Sequence, residues 1–415
     1  MAGFRSLGSA VLRSRDARMS LELGLATALG PFAGFIANVI YARTLGASGR
    51  GDLAAAVAAL SVCEAALTLG LPDILARHVA KGSMPPGAQR TLAGVAVAVS
   101  IIPGALVAIY CHSWHFSWPV AIAAGLVVPF TTATMIARGV LLGQHAYRKL
   151  TASQVVGGVF RLVAPLTLLL VERPTENLGL VVILGYYVAA AVPIYACRPY
   201  AGRAAGFRKV LPILREALIV WPAYAAWPLY ANLDQLVLAA MVSPADLGRY
   251  AVCVAIAQAP AALASGPRQV LLARAAKSQS LDEIPKIAQA ILVIAVVSGT
   301  AFGYFAGPLL AAVFGPEFQG ISFVLGILLA ATGFEIGLGM LNTGLVAVGR
   351  VRSATVNQSI ALLITAVVLP IAVSLGGGIL AAAVVRLVAA ASACLMSRLG
   401  VQRFSRSQQV DSEQL

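Results

Sequence analysis

Charged side chains are scarce in this chain. Asp, Glu, Lys and Arg together make up 11% of its 415 residues while 59% are hydrophobic; soluble domains carry about a quarter charged residues. So little polar surface cannot cover so much apolar side chain in water, and lipid is the implied solvent. Cysteine is sparse too. Cys63, Cys111, Cys197, Cys253 and Cys394 stand singly, with no CxxC pair, which speaks against a disulfide framework or a thiolate metal site. There is no GxxxxGK[ST], no HExxH and no GxSxG. Nothing therefore points to a nucleotide-driven motor, a metallohydrolase or a serine hydrolase, no enzyme is expected, and no cofactor is implied. His112 and His115 have a spacing that could suit a metal, but Trp114 and Trp118 beside them read as an aromatic belt at a membrane boundary.

What is present is apolar run after apolar run. Stretches of about 20 residues are long enough to cross the hydrocarbon core, and twelve occur: 22–43, 51–71, 91–111, 119–143, 152–171, 178–197, 216–241, 246–266, 287–314, 321–348, 354–375 and 377–399. The expected class is an all-α integral membrane protein with about twelve transmembrane helices. The net charge of +14 is placed as such a protein needs it. With the amino terminus inside, all but seven of the 30 Lys and Arg residues fall in inner segments. Arg43, Arg50, Arg173 and Arg249 lie in outer loops, and Arg138, Arg161 and Arg386 lie within spans. This asymmetry puts both termini in the cytoplasm and assigns the basic charge to anionic lipid, not to nucleic acid. The first 21 residues, with Arg5, Arg13, Arg15 and Arg18, lack a small-residue cleavage site and lead into a retained first helix.

The longest inner connection, 198–215, is basic and punctuated by Gly and Pro, and it falls near mid-chain. It divides the chain into a basic amino-terminal segment (1–21), a six-helix lobe (22–200), a linker (201–215), a second six-helix lobe (216–399) and a tail (400–415). The halves echo each other. A shift of 197 positions lays Gly51-Asp52-Leu53-Ala54 over Gly248-Arg249-Tyr250-Ala251, and residues 74–77 (ILAR) over 271–274 (LLAR). A looser echo, offset by about 205, pairs 139–154 with 344–358. Two pseudo-symmetric lobes related by an axis along the membrane normal follow, a common transporter plan with the substrate site between the halves.

Polar residues inside the spans recur in steps of three and four, which keeps them on one helical face. Span 1 carries Thr27, Pro31, Gly34, Asn38 and Tyr41; span 2, Ser61, Glu64 and Thr68; span 4, Thr131, Thr134 and Arg138; span 5, Gln154, Gly157, Arg161 and Pro165. Span 7 has Tyr224, Trp227, Ala231 and Asp234, and span 10 has Thr332, Glu335, Gly339 and Asn342. For the small and hydroxyl residues helix packing is the favoured role. The ionisable ones are costly in hydrocarbon. Each half can neutralise most of its own: Glu64 with Arg138 and Arg161 in the first, Asp234 and Glu335 with Arg386 in the second. Either these pairs staple each bundle, or they line a cavity in which the spare cation suits an anionic ligand and the spare carboxylate a coupling ion or proton. Pro31, Pro103, Pro129, Pro165, Pro222, Pro228, Pro260 and Pro370 sit inside spans, and the pair before Asp234 makes span 7 the expected bending element.

Residues 41–77, YARTLGASGRGDLAAAVAALSVCEAALTLGLPDILAR, resemble the first helical hairpin of bacterial polysaccharide-unit flippases of the multidrug/oligosaccharidyl-lipid/polysaccharide exporter superfamily. The matching positions are Arg43, Leu45-Gly46, Gly51, Gly70-Leu71 and Arg77. Residues 233–260, with Asp234 followed by Gly248-Arg249-Tyr250, residues 313–320 (VFGPEFQG) and residues 347–352 (AVGRVR) are similar to later family segments. The resemblance implies a V-shaped pair of lobes working by alternating access in the bacterial cytoplasmic membrane. Its implied cargo is an isoprenoid-diphosphate-linked saccharide, moved to the outer leaflet for surface polysaccharide synthesis. Membrane lipids, and a polymerase or glycosyltransferases, are the implied partners. Arg43, Arg50, Arg77 and Asp234 occupy motif positions; Arg138, Arg161, Asn38, Glu64, Glu335 and Arg386 are added from the helix faces. Guanidinium groups suit a diphosphate through bidentate, charge-assisted bonds. The alternatives are a cation-coupled multidrug exporter of the same fold and a non-transporting scaffold in glycan assembly.

Overall fold

In the computed structural model, residues 15–168, 174–200, 202–278, 283–348 and 350–413 are described, and they form thirteen α-helices and no strand. Five helical stretches are long and apolar enough to cross a membrane unaided, and two bent helix pairs qualify when each is taken as one span. Their lipid-facing sides are plain: Ile101, Ile102, Leu106 and Ile109 on one helix, and Leu363, Val367 and Ile371 on another, are exposed.

The first half begins with α1 (Arg15–Leu67), which runs through two expected spans. Its one break is Gly46, with φ 66 and ψ −173, a conformation that side chains with a Cβ resist. The helix thus kinks at a single residue, between the two expected spans. α2 (Leu71–Ala80) resumes the second span after a bend of 43° at Leu69 and Gly70, both with positive φ. There follow α3 (Ala88–Ser113), α4 (Trp118–Gly143), α5 (Tyr147–Leu168) and α6 (Pro174–Cys197). The amino-terminal basic segment lies outside the described residues up to position 14, as do the side chains up to Phe32, Arg173 and the Arg161 side chain.

The second half comprises α7 (Phe207–Met241), α8 (Pro244–Ser278), α9 (Glu283–Phe305), α10 (Gly307–Phe314), α11 (Ser322–Ala347), α12 (Val351–Ala372) and α13 (Gly378–Glu413). One boundary differs from expectation. The stretch 287–314 is two helices, not one, because Pro308 starts a new first turn at α10, where its missing N–H costs nothing. α7 also starts earlier than the apolar run, at Phe207, and bends by 51° between Phe207–Pro222 and Ala225–Met241. Of its three internal prolines, Pro222 and Pro228 flank the bend and remove backbone bonds that would hold it straight.

The bend lets α7 serve both halves. Val210, Ile213 and Ala217 from its first part pack with Leu71, Ile74, Leu75, Leu92 and Ile136. Tyr230 from its second part packs with Leu338, Ala361 and Ala389. The duplication read from the sequence is visible in the packing. Gly104 on α3 and Gly125 on α4 sit so close that a Cβ on either would stand 2.6 or 2.5 Å from the other's carbonyl oxygen; Gly299 on α9 and Gly326 on α11 repeat this with the same two distances. Where the halves meet, Gly51 rests on the Pro244 carbonyl and Gly248 on the Ala47 carbonyl. The shift of 197 turns one contact into the other, so this is a two-fold contact between duplicated hairpins.

Candidate functional site

The ionisable residues of the second half converge. Asp234 on α7, Glu335 on α11 and Arg386 on α13 are 1%, 3% and 3% exposed. Arg386 Nη1 donates to Asp234 Oδ2 at 2.7 Å, Nε to Glu335 Oε1 at 2.8 Å, and Nη2 to Glu335 Oε2 at 3.3 Å. Two tyrosines complete the set. Tyr250 on α8 donates to Asp234 Oδ2 at 2.6 Å, and Tyr230 donates to Glu335 Oε1 at 2.9 Å. The guanidinium also lies 5.7 Å from the Tyr230 ring centre. Four helices are tied by one buried network whose carboxylates accept from every side. Such a network is stable only when fully paired, and here it is filled by the protein's own groups.

The first half is arranged differently. Arg50, 8% exposed, reaches back across the α1 break to an amide and not to a carboxylate: its Nη2 donates to the side-chain oxygen of Asn38 at 2.5 Å. Asn38 in turn donates to the Gly34 carbonyl at 2.8 Å. The Arg50 Nε is buried with no partner, and among the described residues Arg50 forms no ion pair. It stands one position before the Gly51–Pro244 contact, at the meeting of the halves. Glu64 and Arg138 are half-buried and within electrostatic reach of each other. The hydroxyls of the polar stripes bond within or between helices: Thr131 and Thr132 to the Val128 carbonyl, Thr134 to the carbonyls of Phe130 and Ala190. That is helix packing.

The two remaining motif arginines are engaged elsewhere. Arg43 donates from Nε to the Val313 carbonyl at 2.7 Å and from Nη2 to the Ala312 carbonyl. Arg77 pairs with Glu216 on α7, whose other oxygen lies 3.0 Å from His78 Nε2. The structure therefore brings Asp234, Glu335 and Arg386 together, sets Arg50 with Asn38, sets Arg138 near Glu64, and keeps Arg43 and Arg77 at opposite ends of the α1–α2 hairpin. His112 stacks on Trp118 with ring centres 4.0 Å apart, in keeping with an aromatic belt.

Sequence reasoning missed Tyr230, Tyr250, Glu216 and Glu317. Tyr230 had a usable signal, since it precedes Asp234 by one helical turn. Glu317 had none, for its partner is a backbone amide.

The family model of the polysaccharide biosynthesis proteins matches residues 20–279, from the first span to the end of α8. The chain belongs to that family. Among curated proteins, none matches the sequence. Among solved structures, the chain is similar in fold to the lipid II flippase MurJ in an inward closed conformation, with TM-score 0.75 at 11% identity over 92% of this chain and 87% of that one. It is similar to an inward-facing multidrug resistance transporter of the MATE family in the MOP superfamily, with TM-score 0.64 at 15% identity over 92% and 99%. A MOP-superfamily transporter from Pyrococcus furiosus matches with TM-score 0.57 at 15% identity over 94% and 97%. The fold is that of the MOP superfamily.

Proposed function

We propose that this chain is a flippase that moves an isoprenoid-diphosphate-linked saccharide from the inner to the outer leaflet of a bacterial cytoplasmic membrane, with both termini inside. The two lobes expose a passage between them alternately to each side. Membership of a polysaccharide biosynthesis family supports the cargo class. The observation that carries the reading is Arg50. A guanidinium buried at the meeting of the halves, held by one amide oxygen and with an unmatched N–H, is a positive charge kept for an anion. A diphosphate meets that need, because it accepts two parallel N–H bonds and neutralises the charge. Asn38 fixes the guanidinium in place while leaving the rest of its donors available. Arg138 and Arg161 are further candidates for the diphosphate on the same half, and Arg77 for its entry.

The test uses the full-length protein in nanodiscs with polyprenyl diphosphate, polyprenyl monophosphate and a cationic dye as probes. Diphosphate is expected to bind best. Arg50→Ala is expected to weaken it about tenfold or more, and Arg50→Lys to restore part of the loss, since a charge-assisted bond is worth about 1.5–3 kcal/mol. Unchanged diphosphate binding in Arg50→Ala overturns the reading. One observation favours a second reading, a cation-coupled exporter: the second half holds two carboxylates against one guanidinium. Its sign is dye extrusion that survives Arg50→Ala.

A further inference from the structure

At the Gly46 end of the bundle the two halves cap each other's backbones. The last-turn carbonyls of a helix have no intrahelical donors; in α10 two of them, those of Ala312 and Val313, accept from Arg43 of the other half. The return contact comes from Glu317, three residues past the end of α10. Its Oε2 accepts the N–H of Ala47 at 2.7 Å, in the first turn beyond the α1 break. Each charge sits where the helix dipole favours it, the cation at a carboxyl end and the carboxylate at an amino end. Arg249 of α8 fixes Glu317 from behind by donating from Nε to its backbone carbonyl at 3.0 Å. Gly46 leaves room for this: a Cβ there would stand 3.3 Å from Glu317 Oε2. Alongside lies the reciprocal contact of Gly51 and Gly248 with opposing carbonyls.

We infer that this exchange of caps is a latch, with Arg43 and Glu317 as its two halves, that holds the lobes closed at this end of the passage. Both contacts join a side chain on one lobe to backbone on the other, so both must break when the lobes part. Arg43 thereby acts on the closed-to-open ratio of the lobes and not on cargo. In the orientation proposed above this is the outer end of the passage; the latch rests on the lobes parting there, as that reading requires, and not on the cargo.

The experiment measures distances between spin labels at Ser48→Cys and Gln319→Cys, exposed positions on the two sides of the latch, in full-length protein whose five native cysteines have been replaced. The parent is expected to give a mainly short-distance population. Arg43→Gln and Glu317→Gln should each raise the long-distance population about three- to tenfold, the range for loss of one partly exposed charge-assisted bond. Arg43→Lys should restore the short distance in part. Gly248→Ala tests the same closure without touching a charge, because its methyl would enter the space of the Ala47 carbonyl, and it should also favour the long distance. An unchanged distribution in both charge variants overturns the latch. So does a fall in melting temperature with no long-distance population, which would mark a structural contact only. Loss of diphosphate binding, or its absence, leaves these distances unaffected, so the two readings fail separately.

Discussion

The two halves descend from one plan but treat their intramembrane charges in opposite ways. In the second, Arg386 is enclosed by two carboxylates and two tyrosines, and each of its three guanidinium nitrogens donates to a carboxylate. In the first, Arg50 is also buried but, among the described residues, donates to Asn38 alone, and Glu64 and Arg138 stay half-buried. A closed network gives stability and has no valence left for a ligand. An open one costs stability and keeps that valence. The difference directs the search for the proposed anionic ligand to the half that holds Arg50.

The largest effect expected from this contrast is on Arg386. Arg386→Leu leaves two carboxylates buried without their cation, and loss of one partner of a buried pair costs about 3–5 kcal/mol. The melting temperature or yield in detergent should fall sharply; a stable variant would break the comparison. Tyr250→Phe should come next. It removes one bond to a carboxylate, worth about 1.5–3 kcal/mol, while Arg386 still covers Asp234. Smallest is Arg50→Met, which removes a buried charge with no ion pair among the described residues and fills its space with an apolar chain. Its melting temperature should stay level or rise while diphosphate binding is lost. A large fall would show that Arg50 is structural and would erase the distinction between the halves.

Much of this was legible in the sequence. Charge scarcity and the length of the apolar runs gave the class, because both follow directly from the solvent. The repeat at a shift of 197 was only four residues long at its best, yet it fell on the glycines where the halves touch, since only a residue without a Cβ lets two backbones approach so closely. The pairing of two acids with one base in the second half was legible as arithmetic, though not its geometry. What could not be read were contacts to backbone. Arg43 looked like a rim arginine because the carbonyls of Ala312 and Val313 have no side-chain signature. The split of α9 from α10 was hidden for a related reason, as hydropathy does not change at Pro308.

The bend in α7 has a consequence for how the chain assembles. Its first part seals the seam of α2, α3 and α4, yet it begins at Phe207, inside the stretch 201–215 that was expected to separate the lobes as a linker. The amino-terminal bundle therefore leaves the translocon with one wall missing and is completed by a segment whose other end belongs to the partner bundle. A chain cut between residues 200 and 206 would yield an incomplete first piece, whereas one cut after Met241 would carry its own closure.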